Sequence, residues 1–402
     1  MRCVRRRGLA VALLCAVLAP CASAGPLPLT TRLANALAVR GAPAQSSAAV
    51  AVDLLNGKTI FARNPDLPLA PASNEKLFVT YAALVTLGPT YRFRTQLLGD
   101  GYQRDGVWHG DVVLKGFGDP TLTSAGLADL VAQLKRQGIR RISGRVIGDE
   151  SWFDRRRTAP GWKASFYLWE SPPLSALIVD GDVYQQHLAI HPALAAAGTL
   201  RRLLRTHHVT SGPVGVGRAP TTATVLGTIQ SVPLARIVRG MDLSSDNLTA
   251  ELLLKELGAE AGDGGTTAGG LAVTIRDLAA AGVPLTGVRL HDGSGLSEDD
   301  RTTVRALAAL LLGIWRSPEL HGIVLHSLPV AGISGTLKDR FETGPAHGVV
   351  RAKTGTTDIA TALSGYVRTQ YAFAVLHNGD PVSWIASRKA QDRFVTALAR
   401  AP

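Results

Sequence analysis

Two groups of strands at opposite ends of the chain constrain the fold more than anything between them. Residues 47–55 (SAAVAVDLL) alternate loosely, Asn56-Gly57 is a tight-turn dipeptide, and KTIFARN returns along it, the pattern of a β-hairpin. Near the other end GVVRAKTGTT, TALSGYVRT and YAFAVLHNG read as three strands joined by turns. VSWIASRKAQDRFVTALAR then follows as an amphipathic helix. A hairpin at the start, strands at the end and helices between predict an α/β domain built on an antiparallel sheet.

With 402 residues the chain has room for more than one domain. A Pro-rich loop (Pro65, Pro68, Pro71) follows the hairpin, and a helix is predicted from about Ser73 to Leu87. From roughly residue 90 to 225 the texture changes. Short strand-like pieces such as RFRTQLLGDG and GVWHGDVVLKG are separated by Gly and Asp, with one helix-like piece, GLADLVAQLKRQG. This predicts a β-rich unit, residues 91–224, inserted into a discontinuous domain of residues 25–90 and 225–402. Beyond about residue 230 helices return: DNLTAELLLKELG has a cap-like start and a Gly stop, and TVRALAALLLGIWRS has one apolar face. The sequence contains no internal repeat and no low-complexity linker.

The first residues, MRCVRRRGLAVALLCAVLAPCASAG, run from arginines through a short apolar stretch to small residues, the order of a secretory signal spanning residues 1–24. Pro20 before Cys21 favours cleavage after Ala24 over lipid attachment at Cys21, and the flanks of Arg6-Arg7 are a poor match to a twin-arginine address. The chain's three cysteines, Cys3, Cys15 and Cys21, all lie in this segment. An exported product is therefore expected without disulfides, thiol catalysis or thiolate metal sites. It needs none for stability, because a chain of this size can bury a sufficient hydrophobic core. Losing four arginines leaves 39 basic against 31 acidic residues, a net charge of +8. A basic chain invites nucleic acid as partner, but export and the lack of any aromatic-basic motif exclude it. An anionic cell envelope is the simpler partner, and a basic surface kept for solubility is the plain alternative.

Three short stretches carry candidate chemistry. In PASNEKLF, Ser73 and Lys76 stand at i and i+3 on one helix face. A lysine in the first turn sits at the wrong end of the helix dipole, and burial there also favours its neutral form. A neutral lysine beside a serine hydroxyl is a nucleophile with its general base; the bland reading is a capping serine and a solvated lysine. SSDN supplies Ser245, Asp246 and Asn247 before a later helix, where all three are also good N-caps. RAKTG places Lys353, Thr354 and Gly355 in a strand, where a glycine marks close approach of another backbone. The isolated His207-His208 pair and the scattered glycines of GPVGVGRAP support no metal and no nucleotide site, so no cofactor is expected.

Each stretch alone is weak, but their order is specific. Ser-x-x-Lys after a hairpin, Ser-x-Asn before a later helix and Lys-Thr-Gly in a strand before the last helix resemble the penicillin-binding protein and serine β-lactamase fold. Within it, GFGDPTLT, GDESWFD, APGW, DGSGLS, LPVAGISGTL and LSGYV resemble the D-alanyl-D-alanine carboxypeptidase/endopeptidase family of the penicillin-binding-protein-4 type. That family also carries an insert between its first two motifs.

The resemblance implies an exported, periplasmic or otherwise extracytoplasmic serine peptidase acting on peptidoglycan stem peptides and acylated by β-lactams. Ser73 attacks the bond between two D-alanines, Lys76 takes its proton, Ser245 and Asn247 relay protons and hold substrate, and Lys353 and Thr354 hold the terminal carboxylate. Backbone amides of Ser73 and Thr356, beside Gly355, form the oxyanion hole. Asp149 and Phe153 match the family's substrate-side residues. The chain departs from the family at Glu298 and Asp358, where members that cut diaminopimelate peptides often carry Arg and Gln. That exchange predicts a pocket favouring a free amine, unless Glu298 merely pairs with nearby Arg301. Two rivals are a β-lactamase on the same fold, which the long insert argues against, and a silent muropeptide or penicillin sensor, which the intact Ser73/Lys76/Lys353 set argues against.

Overall fold

The structure, a computed structural model, describes residues 27–402. The predicted signal segment, residues 1–24, lies outside the described residues. Chain order runs α1 (Leu29–Ala36), β1 (Ser47–Asp53), β2 (Thr59–Arg63), α2 (Lys76–Thr86), β3 (Arg94–Arg104), β4 (Val107–Gly116), α3 (Ser124–Arg136), β5 (Arg141–Ile142), β6 (Val146–Asp149), β7 (Val183–Tyr184), β8 (His187–Leu188) and α4 (Pro192–Thr206). It continues β9 (Val214–Val216), β10 (Thr224–Gln230), α5 (Leu234–Ser244), α6 (Asn247–Ala261), α7 (Thr267–Ala280), α8 (Val304–Arg316), α9 (Pro318–Ser327), β11 (Val350–Thr356), β12 (Ala360–Val367), β13 (Tyr371–Asn378) and α10 (Trp384–Ala399).

The two ends of the chain meet in one sheet, ordered β11-β12-β13-β1-β2 and antiparallel throughout. Ser47 of β1 lies opposite His377 of β13, and the hairpin turns at Gly57, whose φ of +74° falls where glycine is favoured. Both faces of this sheet are covered. Val50, Val52, Ala362, Tyr366, Ala374 and Leu376 join the core formed with α2, α5, α8 and α9. Ala49, Ala51, Leu363, Val367, Phe373 and Val375 pack instead with α1 and α10. That double cover is why β12 is buried at every residue, although antiparallel strands commonly leave one face to solvent.

A second, six-stranded sheet runs β10-β3-β4-β6-β9, with β5 beside β4. It is mixed: β3 is antiparallel to β4 and β10, while β4, β6 and β9 run parallel. One face packs Leu97, Leu114, Val146 and Leu226 against Leu127, Val131 and Leu134 of α3 and Ala196, Leu200 and Leu204 of α4. The sequence reading found only the first of these two helices. The second, PALAAAGTLRRLLRT, begins with Pro192 in the first turn, a start signal that was there to be read. The sheet also runs past residue 224, since β10 extends to Gln230 and pairs with β3.

A long connection from β6 to β7, residues 150–182, packs on α6. Phe153, Leu174, Ala176 and Ile178 pack on Leu248 and Leu252 of α6, Trp152 Nε1 donates to Glu256 Oε2 at 2.8 Å, and the buried Lys255 pairs with Asp154 at 2.5 Å. The connection from the six-stranded sheet thereby reaches the helix that carries Asn247.

The central sheet yields a stability expectation. Phe373→Ala removes a fully buried ring between the sheet and α10 and should cost ~3–5 kcal/mol. Tyr366→Phe leaves the Leu311 carbonyl, which accepts the tyrosine hydroxyl at 2.8 Å, without that partner and should cost about 1–3 kcal/mol. Denaturant-unfolding midpoints of the two variants give the comparison; equal costs would contradict the described core.

Candidate active site

Ser73 sits in a single 3-10 turn, Ala72–Glu75, that leads into α2. The predicted α-helical start at Ser73 is thus displaced: α2 begins at Lys76, and the Ser73 side chain makes no cap. Ala72 holds φ at +47°, a sparsely populated region for a residue with a Cβ. Such strain persists only where the surroundings impose it, and here β11 does. A Cβ added to Gly355 would lie 3.0 Å from the Ala72 Cβ, the Pro71 carbonyl oxygen and the Ser73 nitrogen alike. The close approach expected of a strand glycine is therefore to the backbone of the serine turn itself.

The Lys76 ammonium is wholly buried and donates three hydrogen bonds: to Ser73 Oγ at 3.0 Å, Asn247 Oδ1 at 2.8 Å and the Ser294 carbonyl at 2.6 Å. Burial pushes it down to about 8, against the pull of Asp292, Asp246, Glu251 and Asp242. Two of its three acceptors, an amide oxygen and a backbone carbonyl, accept only. In the neutral amine the two remaining N–H bonds stay on them, and the lone pair faces Ser73 Oγ.

Ser245 and Asn247 reach the site because Asp246 takes the capping duty. Asp246 Oδ1 accepts from the Thr249 amide at 2.6 Å and starts α6. Ser245, at φ +60°, ends α5 in the left-handed conformation. Its Oγ accepts from Lys353 Nζ at 2.7 Å, while Asn247 Nδ2 donates to the Glu170 carbonyl at 2.8 Å. Lys353 is buried too. Its second bond goes to the Thr354 carbonyl at 3.0 Å, and burial, with repulsion from Lys76, pushes it well down, opposed by Asp242. Thr354 Oγ1 shares a hydrogen bond of 2.7 Å with Thr336.

Behind Lys76 lies a group of buried acids. Asp292 accepts from Trp162 Nε1, Ser294 Oγ and the amides of Gly295 and Ser297 at 2.7–3.0 Å. Glu251 Oε1 accepts from the amides of Gly293 and Ser294. Glu75 and Asp300 are pushed far up by burial and by the neighbouring carboxylates. The loop 292–297 is therefore pinned from beneath, and its Ser294 carbonyl is fixed on Lys76.

A cleft of about 480 Å3 is lined by Ser73, Ser245, Asn247, Thr354, Gly355 and Thr356. The structure brings these together with Lys76 and Lys353 beneath them. It does not bring Asp149 or Phe153 to the cleft. Asp149 is buried with its oxygens on the Ser151 and Ala219 amides, and Phe153 is core against α6. Glu298 does not pair with Arg301 through its carboxylate: Arg301 donates to its backbone carbonyl, and the carboxylate binds Lys163 at 2.5 Å. Lys163 also binds Asp358 at 3.1 Å, so one lysine from the connecting loop holds both acids. Sequence reasoning missed Lys163, although APGW ends one residue before it. It also missed Glu170, Thr336, Arg340 and Arg388 on the cleft wall. Thr336 stood inside LPVAGISGTL, and Arg388 inside the predicted last helix VSWIASRKAQDRFVTALAR; Glu170 and Arg340 stood in no quoted stretch.

Comparison with known proteins gives the same answer from another direction. The D-Ala-D-Ala carboxypeptidase 3 (S13) family profile matches residues 29–190 and 188–401. A carboxypeptidase of Mycobacterium tuberculosis is 32% identical over 86% of this chain and 78% of its own length. The D-alanyl-D-alanine carboxypeptidase of an Actinomadura strain is 29% identical over 88% of this chain and 81% of its own. In structure, penicillin-binding protein 4 of Haemophilus influenzae, also solved with a bound β-lactam, superimposes with a TM-score of 0.81 at 22% identity, covering 92% of this chain and 98% of that one. The chain belongs to the D-Ala-D-Ala carboxypeptidase 3 (S13) family and is a serine-type D-Ala-D-Ala carboxypeptidase.

Proposed function

We propose that the enzyme acts outside the cytoplasm on peptidoglycan stem peptides, through an acyl-enzyme on Ser73, as a carboxypeptidase and/or endopeptidase that β-lactams acylate. The observation that carries this reading is the three-point hold on Lys76. Neutral Lys76 takes the Ser73 proton as Oγ attacks the carbonyl between the two D-alanines. The ammonium so formed keeps its bonds to Asn247 and Ser294. The tetrahedral oxyanion is met by the backbone N–H groups of Ser73 and Thr356, brought close by the missing Cβ of Gly355. Ser245 hands a proton to the leaving amine and takes its replacement from the Lys353 ammonium; water then attacks the acyl carbonyl, its proton passes back through Ser245 to Lys353, and the Lys76 ammonium returns its proton to Ser73 Oγ as the acyl group leaves. Asn247 also holds the substrate backbone, and Thr354 faces the terminal carboxylate with Lys353 beneath it.

Export is supported by the arginine-apolar-small order of residues 1–24. Among the described residues no helix is long and apolar enough to cross a membrane. The β-lactam complex of the Haemophilus protein supports acylation of the same fold. Lys163, Glu298 and Asp358 form a group of net charge −1; with Glu298 two residues from Leu296 of the cleft wall, that charge favours a stem peptide whose third residue ends in an amine.

Mass spectrometry of the penicillin-treated, digested enzyme tests the nucleophile: the adduct belongs on Ser73, and Ser73→Ala should lose both adduct and D-alanine release. An adduct elsewhere would refute the assignment.

Lys76→Arg should acylate almost as poorly as Lys76→Ala, because a guanidinium stays protonated; loss of a general base costs ~10²–10⁴-fold. For the wild type, the base must be neutral to act, so acylation should be slow below the Lys76 value of about 8 and rise through it. Stopped-flow acylation between pH 6 and 9 reads this limb. A flat profile, or an active Lys76→Arg enzyme, would move the base elsewhere.

A further inference from the structure

The cleft holds one cation that the reading above leaves idle. Arg388, on the exposed side of α10, lines the cleft together with Ser73, Thr354, Gly355 and Thr356. Its Nη2 donates to Thr356 Oγ1 at 3.4 Å, its one side-chain hydrogen bond among the described residues. The other cations there are committed. Arg340 is bound to Asp392 and Gln391. Lys353 is fully buried, with donors on Ser245 and the Thr354 carbonyl, beneath the strand rather than in the open cleft. Among the described residues no carboxylate lies within ion-pair distance of Arg388. The remaining cleft acids are Asp339, 3.9 Å from Lys338, and the exposed Glu170, whose backbone carbonyl holds Asn247.

A guanidinium keeps its charge at every physiological pH and offers a planar fork that matches a carboxylate. Lys353 offers a single, desolvated ammonium with at most one donor to spare. The substrate's own terminal carboxylate is one carbon from the nitrogen that leaves. With Ser73 as the nucleophile, that carboxylate extends past the scissile bond toward the Thr354–Thr356 edge, where Arg388 stands. We propose that Arg388 is a specificity-determining residue that binds the carboxylate on the leaving-group side of the scissile bond. This rests on the reading of Ser73 as nucleophile. It assigns the charge recognition to α10, and leaves Lys353 chiefly to fix Ser245.

The test compares matched peptides ending in D-Ala-D-Ala as free acid and as C-terminal amide, with wild type, Arg388→Ala and Arg388→Lys. A charge-assisted hydrogen bond is worth about 1.5–3 kcal/mol, roughly 10–150-fold in kcat/KM. Wild type should prefer the acid, Arg388→Ala should lose that preference by this factor, and Arg388→Lys should keep part of it. An unchanged acid-to-amide ratio in Arg388→Ala, or an equal fall on both peptides, would overturn the assignment. Penicillin adducts on Ser73 separate the two levels of the argument. An adduct in wild type with an unchanged ratio in Arg388→Ala sinks the Arg388 role alone, whereas no adduct on Ser73 in wild type sinks the nucleophile and this proposal with it. Because residue 388 is exposed on its helix, the variants should fold, and a thermal melt beside each assay verifies it.

Discussion

The site depends on a lysine that has been taken out of water and given three acceptors in return. Burying an ammonium costs several kcal/mol unless each proton finds a partner. At Lys76 the partners come from three separate parts of the chain: the serine turn, the first residue of α6 and the loop after residue 292. None of these lies near another in sequence. Their convergence is therefore what the tertiary structure has to deliver, and much of the surrounding architecture holds them in register. Asp246 caps α6 so that Asn247 is free; Glu251 and Asp292 grip the backbone that presents Ser294; Gly355 admits the serine turn against β11.

Asp292, Glu251 and Asp300, behind the lysine, anchor backbone amides. Glu75, Glu251 and Asp300 are all pushed upward, because burial and mutual repulsion disfavour a second and third negative charge in one place. Raised acids such as Glu251 and Asp300 still accept backbone N–H bonds while adding less negative charge beside Lys76. Were all of them ionised, the amine would be held protonated and could not accept a proton from serine.

Much of this was legible in the sequence where the signal was local. The hairpin at Asn56-Gly57, the three last strands and the Ser-x-x-Lys, Ser-x-Asn and Lys-Thr-Gly spacings are short-range patterns, and the antiparallel sheet and the family follow from them. The conformation of the serine turn was not legible, because Ala72 is forced to positive φ by a strand far along the chain. α4, by contrast, was legible as well, since Pro192 opens it and Ala196, Leu200 and Leu204 recur on one face. Asp149 and Phe153 are present in the motif that pointed to them but face inward, and no pattern in GDESWFD shows which way a side chain will turn. Lys163 could not be assigned because its two partners come from separate loops. The sequence reading weighed Glu298 against its neighbour in the chain, whereas the fold supplied one from a distance.

The pairing of β1 with β13 has a consequence for how the protein is made. The Ser47–His377 contact joins residues 330 apart, and closing so long a loop is entropically costly and slow. Until β13 has been synthesised, β1 and β2 have no sheet to join, and β11 has not yet arrived to press on the serine turn. A chain truncated before β11 carries Ser73 and Lys76 but lacks the strand that completes the cleft. The cleft therefore needs both ends of the chain: without β11 it lacks Thr354, Gly355 and Thr356, and Lys353 beside Ser245.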